Sequence, residues 1–226
     1  MRPETIENRW DILYRDYPDV YDEFASFPYS PAPVDVLAAR FTLGGKTVAD
    51  IGSGSGRSTF ALAKHAGRVI GVEPESAMIA VARNAARQLD LAERVRFVKG
   101  DRQRIPLDDG SVDLVTSLTA GVDVQEALRV VRRGGTVIVM DVAPGWYGGD
   151  LRDVVALPAP GLEELDERLH THGFDSFDFD AVQDYGTTEN IVRTYGFIFG
   201  WKAIAHLRTT GRTSVRWHFR VWHRQA

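Results

Sequence analysis

Three glycines at alternate positions, Gly52, Gly54 and Gly56, follow the acid Asp50 at the end of a short apolar run, with Ser53 between the first two. Glycine takes φ > 0 and carries no Cβ, so a turn built this way lets a ligand lie directly against the main chain. The pattern Phe60-Ala61-Leu62-Ala63 then predicts a helix, whose first unpaired N–H groups point at that ligand. About twenty residues on, a second apolar run ends in Glu73, where a carboxylate can accept both hydroxyls of a ribose. A third run, residues 95–102, again finishes on an acid, Asp101. Main-chain donors and acids at strand ends are the chemistry of an adenosine-type site.

Glycine-rich turns between strand and helix also bind dinucleotides and phosphates. The dinucleotide pattern G-x-G-x-x-G/A needs its third small residue where this chain has Arg57. A nicotinamide dehydrogenase is therefore the weaker reading.

The elements that must hold these residues alternate. Strands are expected at 48–51, 68–73, within the run 95–102, and at 112–117 and 136–141, with helices at 58–66, stopped by Gly67, and at 76–89. This is the order of a doubly wound α/β sheet.

Residues 35–142 resemble the class I S-adenosylmethionine-dependent methyltransferases, in particular the small-molecule branch that includes ubiquinone and menaquinone C-methyltransferases. Beside the glycine turn, Glu73 and Asp101, the residues that carry the resemblance are Asp113-Leu114-Val115-Thr116-Ser117 and Arg129-Val130-Val131-Arg132-Arg133-Gly134-Gly135; Arg133 stands where proline is usual. The resemblance implies S-adenosyl-L-methionine as cofactor and S-adenosyl-L-homocysteine as product. It implies that Asp50, Gly52, Ser53, Gly54 and Gly56 surround the methionyl part, that Glu73 holds the ribose, and that Pro74 and Met78 flank the adenine. Asp101 would meet the adenine amino group, Arg102 would belong to the same cofactor site, and Ser117 would lie beside the sulfonium. The implied fold is a Rossmann-like seven-stranded sheet with an antiparallel seventh strand and a helical insertion between strands six and seven. The expected organisation is one domain over 1–226, with an N-terminal lid at 1–34, a cofactor core at 35–142 and substrate-side elements at 143–226.

Composition narrows the chemistry. The chain of 226 residues has no cysteine, which removes disulfides, cysteine-bound zinc and thiolate nucleophiles. Covalent-cysteine base methylation is excluded with them. No run of eighteen apolar residues and no apolar leader is present, so a cytoplasmic location is expected. His170 and His172 are two apart and fall on different helix faces, and Asp141-Val142 lacks the paired ligands of metal-dependent O-methylation, so no metal site is expected.

Residues for the acceptor side are less constrained. Trp10, Tyr14, Tyr17 and Tyr21 fall at helical spacing, either as a packing face or as a lid. Tyr21 and Tyr29 are candidates to reach the transfer centre. Trp146 and Tyr147, between glycines after the fifth strand, read as mobile aromatic contacts to a substrate. A histidine is missing from the short loop after the fourth strand, which leaves Tyr29, Asp123, Asp141 and His206 as candidate bases. Asp123, just before a helix, also reads as an N-cap.

The tail is basic: residues 190–226 carry +7 and residues 1–189 carry −11. Arg216, His218 and Arg220 alternate on one face of a strand expected beside Asp178 and Asp180, so cross-strand ion pairs compete with an anionic substrate or a nucleic-acid groove as the explanation. The fourth strand ends in Asp113-Leu114-Val115-Thr116, not the Asp/Asn-Pro-Pro-Tyr pattern of exocyclic amine methylation, which argues against nucleic acid. A small-molecule acceptor is the expected partner. The helical stretch 188–207 is expected to shape specificity or to form a homodimer face.

Overall fold

The computed structural model describes residues 12–13, 16–155 and 161–226; Trp10 and Tyr14 lie outside them. The strands are β1 (Tyr29–Ser30), β2 (Thr47–Ile51), β3 (Arg68–Glu73), β4 (Val95–Lys99), β5 (Val112–Leu118), β6 (Val131–Val142), β7 (Asp175–Asp184) and β8 (Ser214–Gln225). They form one mixed sheet in the order β1-β7-β8-β6-β5-β2-β3-β4. The expected α/β sheet is present with one strand more, the two-residue β1 at its edge. Among the described residues no helix is long and apolar enough to cross a membrane.

The described residues divide into two compact units. The larger spans Pro33–Gly145, Pro160–Phe179 and His218–Ala226. In it β2, β3, β4, β5 and β6 run parallel, and β8 pairs antiparallel with β6 from Thr136↔Gln225 to Val142↔Phe219. Parallel strands are covered on both faces, and β2, β3 and β5 are accordingly buried along nearly their whole length. Helix Ser76–Gln88 buries Ile79, Ala82 and Ala86 at helical spacing. Strand order reverses between β2 and β5, the place where doubly wound sheets bind ligands beyond their strand ends.

Two expected boundaries shift here. The helix after the glycine turn ends at Ala63, because the N–H groups of Lys64, His65 and Ala66 fold back onto Ala61 and Leu62. Gly67 is required for packing instead: a Cβ there would stand 2.8 Å from the Gly45 carbonyl carbon. The fifth parallel strand begins at Val131, not Thr136. Val112 pairs with Val131 and Leu114 with Thr136, so Arg132 to Gly135 form an irregular insertion in the ladder.

The smaller unit comprises the described residues within Met1–Ala32, Trp146–Ala159 and Asp180–Trp217. Its centre is Gln183, fully buried, whose Nε2 donates to the Phe24 carbonyl and whose Oε1 accepts Tyr185 Oη and Trp217 Nε1. Tyr195 stacks on Phe199 at 4.3 Å and donates its hydroxyl to the Gly148 carbonyl at 2.7 Å. The helix expected at 188–207 is broken into Thr188–Ile191, a π turn at Val192–Gly196, Phe197–Phe199 and Trp201–Thr210. Gly200, at φ 94°, ends the third segment, a conformation that L side chains rarely adopt.

Candidate functional site

The glycine turn is held from two strands. Gly52 and Ser53 both donate main-chain N–H to the Val72 carbonyl, at 2.9 and 3.1 Å, and Gly56 donates to Ser53. Gly52, Gly54 and Gly56 all have positive φ. A Cβ on Gly52 would stand 2.2 Å from the Ala120 methyl, and one on Gly56 would meet the rings of Phe60 and Phe97. Gly54 differs, because no atom lies within 4 Å of where its Cβ would be. The turn is therefore packed on both flanks and open at its centre.

Glu73, buried at the end of β3, faces that centre. Its Oε2 accepts the Gly54 N–H at 2.9 Å, and its Oε1 accepts the Glu75 N–H at 3.0 Å. Ser53 lies between the glycines with its hydroxyl buried and without a hydrogen-bond partner among the described residues. A main-chain cradle with an open floor, a buried orphan hydroxyl and a carboxylate at the next strand end fit an adenosyl sulfonium. Gly52, Ser53, Gly54, Glu73 and Ala120 would hold it.

Three of the expected cofactor residues, Asp50, Asp101 and Ser117, also make hydrogen bonds within the protein. Asp50 accepts Ser58 Oγ and Thr59 Oγ1 at 2.7 Å each on Oδ2, and Thr116 Oγ1 at 3.0 Å on Oδ1. Desolvation pushes its carboxyl up and the three hydroxyls pull it back. It staples the strand to the helix that follows. Asp101 turns into its own loop, its Oδ1 accepting the N–H groups of Gln103 and Arg104. Ser117 Oγ donates to the Gly121 carbonyl at 2.6 Å. Arg102 lays its guanidinium against Gly121 and donates to the Ala120 carbonyl at 3.4 Å. Pro74 is exposed and Met78 half-buried on helix Ser76–Gln88. A cavity of about 540 Å³ adjoins Asp101, bordered by Lys99, Arg104, Glu126 and Arg129.

The candidate bases separate. Asp123 is the N-cap of helix Val124–Val130, with its Oδ1 accepting from Gln125 and Glu126, so that oxygen is engaged by the main chain. Asp141 closes β6 half-buried; desolvation pushes its carboxyl up to about 6, against the Val142 N–H that donates to Oδ1 at 2.8 Å. Tyr29 and His206 belong to the smaller unit, as do Tyr21, Trp146 and Tyr147. Burial, then the nearby Tyr21, hold the Tyr29 phenol well above its ordinary value, which makes it a hydrogen-bond donor and not a base at neutral pH. His206 is half-buried on helix Trp201–Thr210. Trp146 and Tyr147 each pack on a side chain of the same unit. The Arg152 guanidinium lies 4.0 Å from the Trp146 ring centroid, and Tyr147 packs edge-on to Phe199 at 5.5 Å.

Two side chains of the basic strand, His218 and Arg220, make ion pairs. Arg220 forks onto Asp178 at 2.7 and 2.8 Å and reaches Asp166 at 3.2 Å, and His218 Nε2 lies 3.2 Å from Asp178. The Arg220 hydrogen bonds hold the Asp178 carboxyl below its usual range. In the smaller unit Arg193 pairs with Glu23 and Arg212 with Asp150, while Asp150 also accepts the Arg216 N–H.

Sequence reasoning missed Thr116, Thr119 and Ala120. Thr116 was discoverable, since its Cα is the β5 partner of Asp50 once strand ends are aligned. Thr119 and Ala120 carry no such signal.

Comparison with known proteins agrees with this geometry. Residues 48–135 match the family model described as a methyltransferase domain. A demethylmenaquinone methyltransferase of Beutenbergia cavernae is 35% identical over 156 residues, covering 64% of this chain and 61% of the relative, so the chain spans less than two thirds of that relative's length. A crystal structure of a SAM-dependent methyltransferase from Aquifex aeolicus superposes with a TM-score of 0.57 at 19% identity, covering 96% of this chain and 97% of that one. The [4+2]-cyclase SpnF superposes with a TM-score of 0.58 at 21% identity, covering 85% and 79%. At these identities the superpositions establish the fold.

Proposed function

We propose, from the premise that residues 48–135 are a methyltransferase domain on the class I fold, that this chain binds S-adenosyl-L-methionine at the glycine turn and methylates an oxygen, nitrogen or carbon of a small molecule. The observation that carries this reading is the Gly54 main chain, open on its Cβ side and bonded to the buried Glu73 carboxylate at 2.9 Å. When bound, the cofactor supplies a methyl group already activated by a positively charged sulfur.

The protein's own task is then mostly positional. Gly52 is braced by Val72 and Ala120, and Gly54 by Glu73, so the turn's main chain is held by contacts within the protein itself. Holding two reactants in line supplies on the order of 7–11 kcal/mol in well-oriented intramolecular reactions. Asp141 is the group suited to take a proton from the acceptor, because a carboxyl near 6 is ionised at neutral pH yet basic enough to accept. A small-molecule acceptor is favoured over nucleic acid, since Arg193, Arg212 and Arg220 of the basic tail each hold an acidic side chain.

Calorimetric titration with S-adenosyl-L-methionine and S-adenosyl-L-homocysteine, with NADH as control, tests the cofactor assignment. Saturable heat with the first two alone is expected. Heat with NADH and neither adenosyl compound overturns it.

A further inference from the structure

Among the described residues, two that are not glycine have positive φ: Asp90 at 54° and Thr119 at 59°. Asp tolerates that region, but a β-branched threonine does not, and such strain persists only where the surroundings over-determine it. Thr119 sits directly after β5. Its N–H donates to the Met140 carbonyl at 2.7 Å, and its Oγ1 donates to the Leu118 carbonyl at 2.7 Å. The residues around it are tied down as firmly, by Ser117 Oγ on the Gly121 carbonyl and by Arg102 on the Ala120 carbonyl. The result of this path is the placement of Ala120, whose methyl occupies the space a Cβ on Gly52 would need.

We propose that Thr119 is a positioning residue for the cofactor: its left-handed backbone presses Ala120 against Gly52 and so fixes the glycine turn relative to β6, which carries Asp141. The chain of contacts is continuous. Met140, the residue before Asp141, anchors Thr119; Thr119 sets Ala120; Ala120 backs Gly52; and the turn continues to Gly54, the main-chain donor on Glu73. The strain is the cost of that placement. A threonine kept only for stability would not sit in a conformation that glycine or asparagine adopts more easily.

The inference rests on the cofactor reading above, and the test separates the two. Thr119→Asn, which tolerates the left-handed region, and Thr119→Gly, which also frees the turn to leave it, are compared with the unaltered chain. Two readouts are used: S-adenosyl-L-homocysteine affinity by calorimetry and thermal midpoint by scanning calorimetry. Thr119→Asn is expected to raise the midpoint and bind within threefold of the unaltered chain. Thr119→Gly is expected to keep or raise the midpoint while binding about tenfold more weakly. A third variant, Ala120→Gly, removes the methyl behind Gly52 and is expected to bind about threefold more weakly. Affinity and midpoint falling together in Thr119→Gly, or Thr119→Gly binding as the unaltered chain does, overturns the proposal. An unaltered chain that gives no heat with the ligand overturns the cofactor reading itself, and with it this inference.

Discussion

The carboxylate of Glu73 reaches across from β3 to the Gly54 N–H, 2.9 Å away, and joins the two strand ends of the candidate site. Its other oxygen holds Glu75, so the side chain is oriented at both ends. Hydrogen bonds to a charged acceptor contribute about 1.5–3 kcal/mol each. Glu73→Ala is therefore expected to weaken S-adenosyl-L-homocysteine binding by roughly 10–100-fold, with Glu73→Gln in between, as read by calorimetry. Unchanged affinity in Glu73→Ala would remove this residue from the site.

Asp141 gives a pH signature of known sign. Its carboxyl lies at about 6 in the folded chain, against an ordinary value of about 3.9. Between those values the folded chain binds the extra proton, so this contribution to stability is full below about pH 4 and is lost as pH rises through about 6. Asp141→Asn is expected to be about 2–3 kcal/mol more stable than the unaltered chain at pH 8 and equal to it near pH 4, by urea unfolding. If the carboxylate is the base, methyl transfer falls by roughly 10²–10⁴-fold in the same variant. In the unaltered chain the rate then rises with pH through about 6.

Arg220 works in the opposite sense. Its guanidinium keeps the Asp178 carboxyl low, so the pair stabilises above the ordinary carboxylate range and that stability is lost as pH falls. Arg220→Ala also takes a donor from Asp166, which the Trp222 indole N–H still holds at 2.7 Å. A loss of about 1–3 kcal/mol at pH 7 is expected, shrinking below pH 4. Equal destabilisation at pH 3 and pH 7 would contradict the ion-pair account.

Gln183 tests the centre of the smaller unit. Gln183→Leu keeps the volume but leaves the Tyr185 hydroxyl, the Trp217 indole N–H and the Phe24 carbonyl without their partner. Each buried group stranded in this way costs about 1–3 kcal/mol. A total loss of roughly 3–9 kcal/mol is expected in denaturant titration. A loss below about 1 kcal/mol would mean that the three groups find other partners.

The sheet was legible because buried parallel strands are written as apolar runs and their ends as acids; Glu73 could be placed by counting from Asp50 alone. What escaped is what depends on partners far along the chain. Asp50 reads as a ligand residue until Thr116, sixty-six positions away, is seen to share it with Ser58 and Thr59. The break at Gly200 is invisible in a stretch whose apolar spacing suits one long helix, since glycine in a helix is as common a reading as glycine between two. Thr119 contradicts its own local preference, and no propensity could have placed it in the left-handed region. The contacts of Arg152 with Trp146 and of the Tyr195 hydroxyl with Gly148 could not be read from the local pattern of aromatics between glycines.

Asp50 also decides what kind of recognition this turn can evolve. With the hydroxyls of Ser58 and Thr59 aimed inward at one carboxylate, neither side chain is offered to a ligand at Gly54. The turn's own N–H groups at 52, 53, 54 and 56 are likewise spent within the protein, and the hydroxyl left without a partner among the described residues is that of Ser53. Libraries that randomise positions 58 and 59 should therefore sort for folding yield, and a changed ligand preference should come sooner from position 53.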